Sequence, residues 1–335
     1  MSLLDIRNLT TRIATSRGMV AVVEDVSFTV QPGECFGIVG ESGSGKSMTC
    51  RSILGLLPQS GQATGQAWFE GQDLLTLPPE AMERIRGRHI AMIVQDAVSA
   101  LNPVLRIGTQ IAEAMLQHGL VSSKADARRR SLDLMSRVGI PAPEDRIDEY
   151  PHQFSGGMCQ RVVIAAALSC NPKLIIADEP TTALDVTIQD QILRLLVALR
   201  AEFGLGMILV THDMGVVAQT CQKVGVMYGG ELIEIAETAA LFRKPRHPYT
   251  MGLLNCVPHL DRDIGKARLR PIPGAPPDLL NPPPGCRFHP RCPLASEACK
   301  SSRPPLREVA AGHFSRCIRQ DVLDGDVWTG VGANG

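Results

Sequence analysis

Apolar residues along this chain fall into short, nearly unbroken runs that end in small or charged residues: CFGIV at 35–39, IAMIV at 90–94, LIIA at 174–177 and MILV at 207–210. Runs of this length, too short for a helix, predict strands buried on both faces, the pattern of a mainly parallel sheet. DVSFTVQP at 25–32, followed by Gly33, reads as a strand and its turn. Elsewhere the spacing is helical: 48–57 follows the first run, and 107–118 and 124–138 repeat apolar residues at helical intervals, with Leu134 and Val138 four apart. Strands alternating with helices predict an α/β domain. The basic run Arg128, Arg129 and Arg130 reads as a solvated helix face.

The chemistry lies where these elements meet. GESGSGKS at 40–47 stands between a predicted strand and a predicted helix, the context of a phosphate-binding loop rather than of a Gly/Ser linker. Small residues let backbone N–H groups converge on phosphates, Lys46 adds a positive charge, Ser47 offers a hydroxyl to Mg²⁺, and the next helix presents its positive N-terminus. The run at 174–177 leads into Asp178 and Glu179, which places two acids at the ligand-binding edge of the sheet. Because successive strand side chains point to opposite faces, Asp178 is expected to face the metal and Glu179 an attacking water. TTALD ends at Asp185, another strand ends at Thr211 and His212, and the run at 90–94 delivers Gln95. FSGGMCQR occupies 154–161.

Together these segments resemble the nucleotide-binding subunits of ATP-binding cassette (ABC) transporters, over about residues 3–257; SGGxxQ at 155–160 is specific to that family among phosphate-loop ATPases. The resemblance implies a phosphate-loop ATPase core, mainly parallel sheet with an antiparallel β subdomain, in two parts (1–95 and 152–246). A helical subdomain (96–151) would contact a permease, and a small Cys/Pro-rich C-terminal extension (247–335) would follow. It also implies site residues: Gly40, Ser42, Gly43, Ser44, Gly45, Lys46, Ser47, Met48 and Thr49 would hold the triphosphate. Ser47, Gln95 and Asp178 would serve Mg²⁺, Glu179 would be the general base, and His212 would contact the γ-phosphate. Asp185 would lie in a loop at the dimer interface, and Ser155, Gly156 and Gly157 would complete the ATP site of a facing subunit. Signature glycines at a helix N-terminus suit an anion, so ATP would act as glue between two cassettes.

Two departures stand out. The family commonly stacks adenine on an aromatic residue, and 15–22 (TSRGMVAV) has none, leaving Arg17 or Met19 for that contact. Cys159 sits within the signature, beside the expected dimer interface, where it is expected to be inert, with sensitivity to thiol reagents as the alternative.

Composition narrows the class. The 335 residues carry 34 Lys and Arg against 34 Asp and Glu, so no global positive field favours nucleic acid. No apolar run approaches the roughly 20 residues that cross a bilayer, and the start shows no signal pattern. The expected place is the cytoplasmic face of a bacterial inner membrane, reached only through permeases. A soluble cassette ATPase acting on nucleic acid or ribosomes usually carries two cassettes or long insertions, and a module that binds without hydrolysis would not need the full set of Lys46, Gln95, Asp178, Glu179 and His212.

From His247 the texture changes. HPYT at 247–250 leads into PIPGAPPDLLNPPPGCRFHPRCPLA at 271–295, which forms no regular helix or central strand by composition and so needs another tether. Cys286, Cys292, Cys299 and Cys317 fall within 32 residues, spaced C-x5-C-x6-C-x17-C. Clustered thiols in a chain expected to stay intracellular point to a metal or cluster, with zinc, iron–sulfur and free thiols all open. Here the sequence resembles the oligopeptide/dipeptide importer ATPases, a branch that includes nickel importers. The resemblance implies a [4Fe–4S] cluster on the four cysteines, acting as a folding staple, with His289 and His313 structural. It further implies a second, paralogous cassette subunit, two transmembrane permeases and an extracytoplasmic solute-binding protein.

Overall fold

The computed structural model describes residues 2–182, 184–256 and 271–323. Parts of the expected extension, 257–270 and 324–335, lie outside the described residues. Twelve strands occur among the described residues: β1 (Leu4–Thr15), β2 (Gly18–Val30), β3 (Cys35–Val39), β4 (Gly61–Phe69), β5 (Gln72–Asp73), β6 (Ile90–Ile93), β7 (Leu174–Asp178), β8 (Gly206–Thr211), β9 (Lys223–Tyr228), β10 (Glu231–Glu237), β11 (Arg307–Ala310) and β12 (His313–Ser315). They are distributed over two compact units.

The first unit comprises 2–5, 29–35 and 68–210. At its centre β7 pairs in parallel with β6 on one side and β8 on the other, with Leu174 opposite both Ile90 and Gly206. All five residues of β7 are buried, which is why its sequence is apolar without alternation. The predicted helices form at Ile107–Gln117 and Lys124–Arg137. Ile107, Ile111 and Met115 fall at successive fourth positions and are all fully buried, and Leu134 and Val138 are buried likewise. Ser123 caps the second helix by accepting the Asp126 N–H at 3.1 Å. Arg128, Arg129 and Arg130 are exposed, as their charge predicts; Arg128 pairs with Asp148 and the other two with Asp126.

The second unit comprises 6–28, 36–67 and the described residues from 211 onward. Here β2, β1 and β4 lie side by side in that order, and a separate run reads β11-β12-β10-β9-β3. β3 and β9 are parallel, with Gly37 opposite Val224, and the rest of that run is antiparallel. The proline-rich stretch forms no α-helix or strand, only a short 3-10 turn at His289–Arg291, but the chain beyond it recovers a hairpin, and β12 extends the sheet from β10 with Ser315 opposite Glu234. The sequence offers only its clustered cysteines as a tether for the tail. Hairpin pairing and three arginines also serve: Arg287 bonds Glu24 and the Gly229 carbonyl, Arg303 reaches Glu24 at 3.0 Å, and Arg316 donates to the Leu232 carbonyl at 2.9 Å and to Asp25 at 2.8 Å. Between them Glu231 is almost fully buried. Burial pushes its carboxyl up, and the charges of Arg287 and Arg303 pull it back. His313 bonds the buried Glu234 at 2.7 Å and His289 bonds the Cys286 carbonyl at 2.9 Å, both structural contacts. Among the described residues no helix is long and apolar enough to cross a membrane.

Candidate nucleotide-binding site and thiol cavity

In the second unit the chain leaves β3 at Val39 and turns through 40–45 into the helix Lys46–Ile53. The turn admits only glycine at two places. A Cβ on Gly40 would stand 2.2 Å from the Met227 carbonyl oxygen, and one on Gly45, where φ is 103°, would stand 2.6 Å from that of Val22. Lys46 donates to the carbonyls of Gly40 (2.9 Å) and Glu41 (3.0 Å), so its ammonium is folded over the loop. Thr49 donates to the Gly45 carbonyl at 3.0 Å. The Ser44 hydroxyl is buried without a hydrogen-bond partner among the described residues. An orphaned hydroxyl in a glycine-lined turn at a helix N-terminus fits a triphosphate that supplies the missing acceptors. His212, exposed one residue past β8, also belongs to this unit. Arg17 stands in the β1–β2 turn and Met19 at the start of β2, where it is 54% exposed, which excludes a core-packing role for it.

In the first unit Asp178 ends β7 and is 3% exposed. Glu179 does not continue the strand: its φ is 46°, and its N–H donates to the Val210 carbonyl at 3.0 Å. Glu179 thus leaves the extended conformation that strand alternation assumes, through a left-handed residue. One Glu179 carboxylate oxygen accepts from Gln95 Nε2 at 3.0 Å and from Thr182 Oγ1 at 2.9 Å. That brings together Gln95 and Glu179, 84 positions apart. Asp185 caps the helix Val186–Phe203 by accepting the Ile188 N–H at 2.9 Å, and Val186 is 83% exposed.

The signature segment starts the helix Gly156–Leu168, capped by Ser155, which accepts the Met158 N–H at 3.3 Å. Ser155 and Gly156 are exposed, so this helix N-terminus meets solvent. A Cβ on Gly157 would come 2.7 Å from Ile188, whereas one on Gly156 would meet only Leu184, at 3.7 Å. Cys159 is buried and its thiol is pushed up by that burial, which makes it inert.

The four clustered cysteines converge in the second unit, lining one small cavity together with Arg316 and Arg319. The Cys286 N–H donates to the Cys299 carbonyl at 2.8 Å, and the Cys317 sulfur accepts the Arg319 N–H at 3.4 Å. Burial, with neighbouring thiols adding to it, pushes Cys286 up to about 11 and Cys317 up to about 12, so both stay protonated at neutral pH while nothing binds them. Among the described residues no three His, Cys, Asp or Glu side chains are grouped to hold a metal ion. Four thiols facing a shared space with two cations nearby fit a larger group of thiolate ligation, since the cations offset the charge that ligation creates.

Residues 23–182 match the family model described as ABC transporter, and residues 233–299 match oligopeptide/dipeptide transporter, C-terminal region. The chain is 49% identical over 331 residues to the dipeptide transport ATP-binding protein DppD of Bacillus subtilis (strain 168), covering 96% of this chain and 98% of that one. It is 47% identical over 317 residues to the oligopeptide transport ATP-binding protein OppD of Salmonella typhimurium (strain LT2), covering 95% and 93%. Among solved structures it is similar to a dimeric post-hydrolysis state of an ATP-binding cassette bound to ADP and Pi, with a TM-score of 0.63 and 27% identity over 70% of this chain and 98% of that one. With a glycine-cradled phosphate loop, a strand-end carboxylate pair and near-full-length relatives of one kind, the chain belongs to the ATP-hydrolysing, ATP-binding subunits of ABC transporters, in the oligopeptide/dipeptide branch.

Proposed function

We propose that this chain powers a bacterial importer of peptides, clasping ATP against a second cassette subunit and driving two permeases fed by an external solute-binding protein. One observation carries the paired mechanism: the chain has a phosphate loop with an orphaned Ser44 hydroxyl and also an exposed signature helix N-terminus, two complementary halves of an anion site. The names of the relatives support a peptide cargo. Residues 96–151 are assigned to the permease contact, and membrane attachment follows from the permeases alone.

The roles divide by chemistry. The loop from Gly40 to Thr49 orients the triphosphate through backbone N–H groups, and Lys46 turns from its carbonyl partners to the phosphates. Ser47, Gln95 and Asp178 are the oxygen donors suited to Mg²⁺, which when bound offsets phosphate charge. Glu179 takes the proton of the attacking water, and Gln95, bonded to it, links metal and base. His212 donates to the transferring phosphoryl group, Asp185 presents its loop to the facing subunit, and Ser155, Gly156 and Gly157 complete the facing subunit's site. Copurification of permeases in detergent, with ATP-dependent uptake of radiolabelled oligopeptide into vesicles, is the expected outcome; ATPase activity that peptide and permease leave unchanged overturns the importer reading.

For adenine, Met19 is the assigned contact, supported by its exposure. Met19→Tyr is expected to tighten MgATP binding by roughly threefold to tenfold, the worth of an added aromatic stack, as read by isothermal titration; unchanged affinity removes Met19 from the site.

Cys286, Cys292, Cys299 and Cys317 are proposed to hold a [4Fe–4S] cluster, supported by their shared cavity and the two arginines on its wall. Bound, it cross-links four points of a tail with little apolar core. Anaerobically purified protein is expected to contain about four iron and four sulfide per chain, and Cys317→Ser to lose both and melt at lower temperature. Zinc without sulfide, or no metal, overturns this assignment and leaves the ATP site untouched.

A further inference from the structure

Two sequence features stay outside the ATPase mechanism, the HPYT segment at 247–250 and the second arginine of GCRFHPRCP, Arg291. Both arrive at the same residue of the phosphate loop, Glu41. Its N–H donates to the Tyr249 hydroxyl at 2.9 Å, and its carboxylate receives a two-pronged pair from Arg291 at 2.8 and 3.0 Å. Its carbonyl accepts Lys46 Nζ at 3.0 Å and the Ser44 N–H at 3.2 Å. Every polar group of Glu41 is thus engaged, and two of its partners come from the chain's last third, 208 and 250 positions away.

The partners are themselves held rigidly. Arg291 has a side chain only 6% exposed; its Nε donates to the Pro273 carbonyl at 2.8 Å, and its guanidinium also bonds the Tyr228 hydroxyl at 3.3 Å. A planar fork with each prong aimed at a fixed acceptor defines position in a way that a lysine ammonium does not. Tyr249 is fully buried, packed 4.6 Å from the Tyr228 ring and 5.4 Å from that of Phe288, and its backbone N–H caps on His247 Nδ1 at 3.1 Å. Burial holds that imidazole neutral, near a pKa of about 3, so it stays an acceptor at all physiological pH. His247 therefore orients Tyr249, and Tyr249 reaches the loop.

A loop rich in glycine has wide backbone freedom, and converging several N–H groups on phosphates requires that freedom to be removed before the ligand arrives. We propose that Arg291 and Tyr249 are positioning residues of the nucleotide site: through Glu41 they hold the phosphate loop in its binding conformation, which makes the C-terminal extension part of the ATP site. The proposal rests on the phosphate loop being where ATP binds.

The test uses the full-length chain, titrated with MgATP, with a melting curve for each variant. Arg291→Lys keeps the charge and loses the fork, Glu41→Gln keeps the shape and loses the charge, and Tyr249→Phe deletes one oxygen atom. Each is expected to weaken MgATP binding about fivefold or more, the lower end of a coupling between sites. The double variant Arg291→Lys with Glu41→Gln is expected to be no weaker than the worse single one, because both break the same link. Affinities within twofold of the parent, whether or not the melting temperature falls, overturn the proposal, as does a double variant whose losses multiply. If Arg291→Lys does not fold, Tyr249→Phe decides alone. Lys46→Ala, measured alongside, separates the two readings: loss of binding there with unchanged Tyr249→Phe rejects only the tail's role, while MgATP binding that survives Lys46→Ala rejects the ATP site itself.

Discussion

Glu179→Gln is expected to lower ATP turnover by about a hundredfold or more, within the range that a positioned general base contributes, while MgATP binding persists. The ground state changes little because the carboxamide keeps an oxygen where Glu179 accepts from Gln95 and Thr182. The variant lacks basicity, so water is held but not deprotonated. ATP that binds and is not hydrolysed keeps its contacts with both cassettes, so the closed pair should accumulate. Steady-state phosphate release by the assembled transporter measures the first effect, and size-exclusion chromatography with MgATP the second. Turnover within a few-fold of the parent would remove Glu179 from its role, and the left-handed backbone at this residue would then need another explanation.

Gly156→Asp in every cassette copy should lower turnover by roughly a hundredfold to a thousandfold, the usual consequence of losing an anion-stabilising donor, with a carboxylate now facing the phosphate. The fold itself should tolerate the change. Gly156 is exposed, an added Cβ meets only Leu184 at 3.7 Å, and an acid in the first turn of the helix Gly156–Leu168 suits its dipole. Because the signature is proposed to complete the facing subunit's site and not its own, ATP affinity of one isolated chain should be unchanged while hydrolysis by the pair collapses. Phosphate release undiminished by this variant would refute the sandwich. Gly157 is the poorer choice for the experiment, since its Cβ would strike Ile188 at 2.7 Å and confuse packing with chemistry.

The candidate site was legible where its chemistry is local in the chain. The phosphate loop needs small residues, a lysine and a hydroxyl at fixed spacing between a strand and a helix, and all of that lies within ten residues. Strands β3, β6, β7 and β8 were legible for a different reason: nearly all of their residues are buried, so their sequences are unbroken apolar runs. Strand alternation was expected to carry through Asp178 and Glu179, but Glu179 stands in a left-handed conformation just past the strand. The backbone turn responsible leaves no sequence signal, because Glu is not a residue that favours positive φ.

The tail was read least well. Its prolines correctly excluded an α-helix or central strand from the stretch at 271–295, and its cysteines drew attention to ligation, but charged residues were treated as a balanced total of 34 and 34. That total conceals Arg287, Arg291 and Arg316, each at least nine-tenths buried. A buried arginine is recognisable only by its acceptors, and these lie at Glu24, Glu41 and Asp25, some 250 to 291 positions away.

The sequence by itself determined the family, the strand–loop–helix that cradles phosphates, the acids at the strand end and the four thiols, because each depends on residue types at short, fixed intervals. Only the tertiary structure decided that Glu41 is gripped by Tyr249 and Arg291, that Gln95 reaches Glu179, and that the thiols share a cavity. Hydrogen bonds and ion pairs act over about 3 Å of space and are indifferent to separation along the chain, so such contacts exist only once folding has brought their partners together.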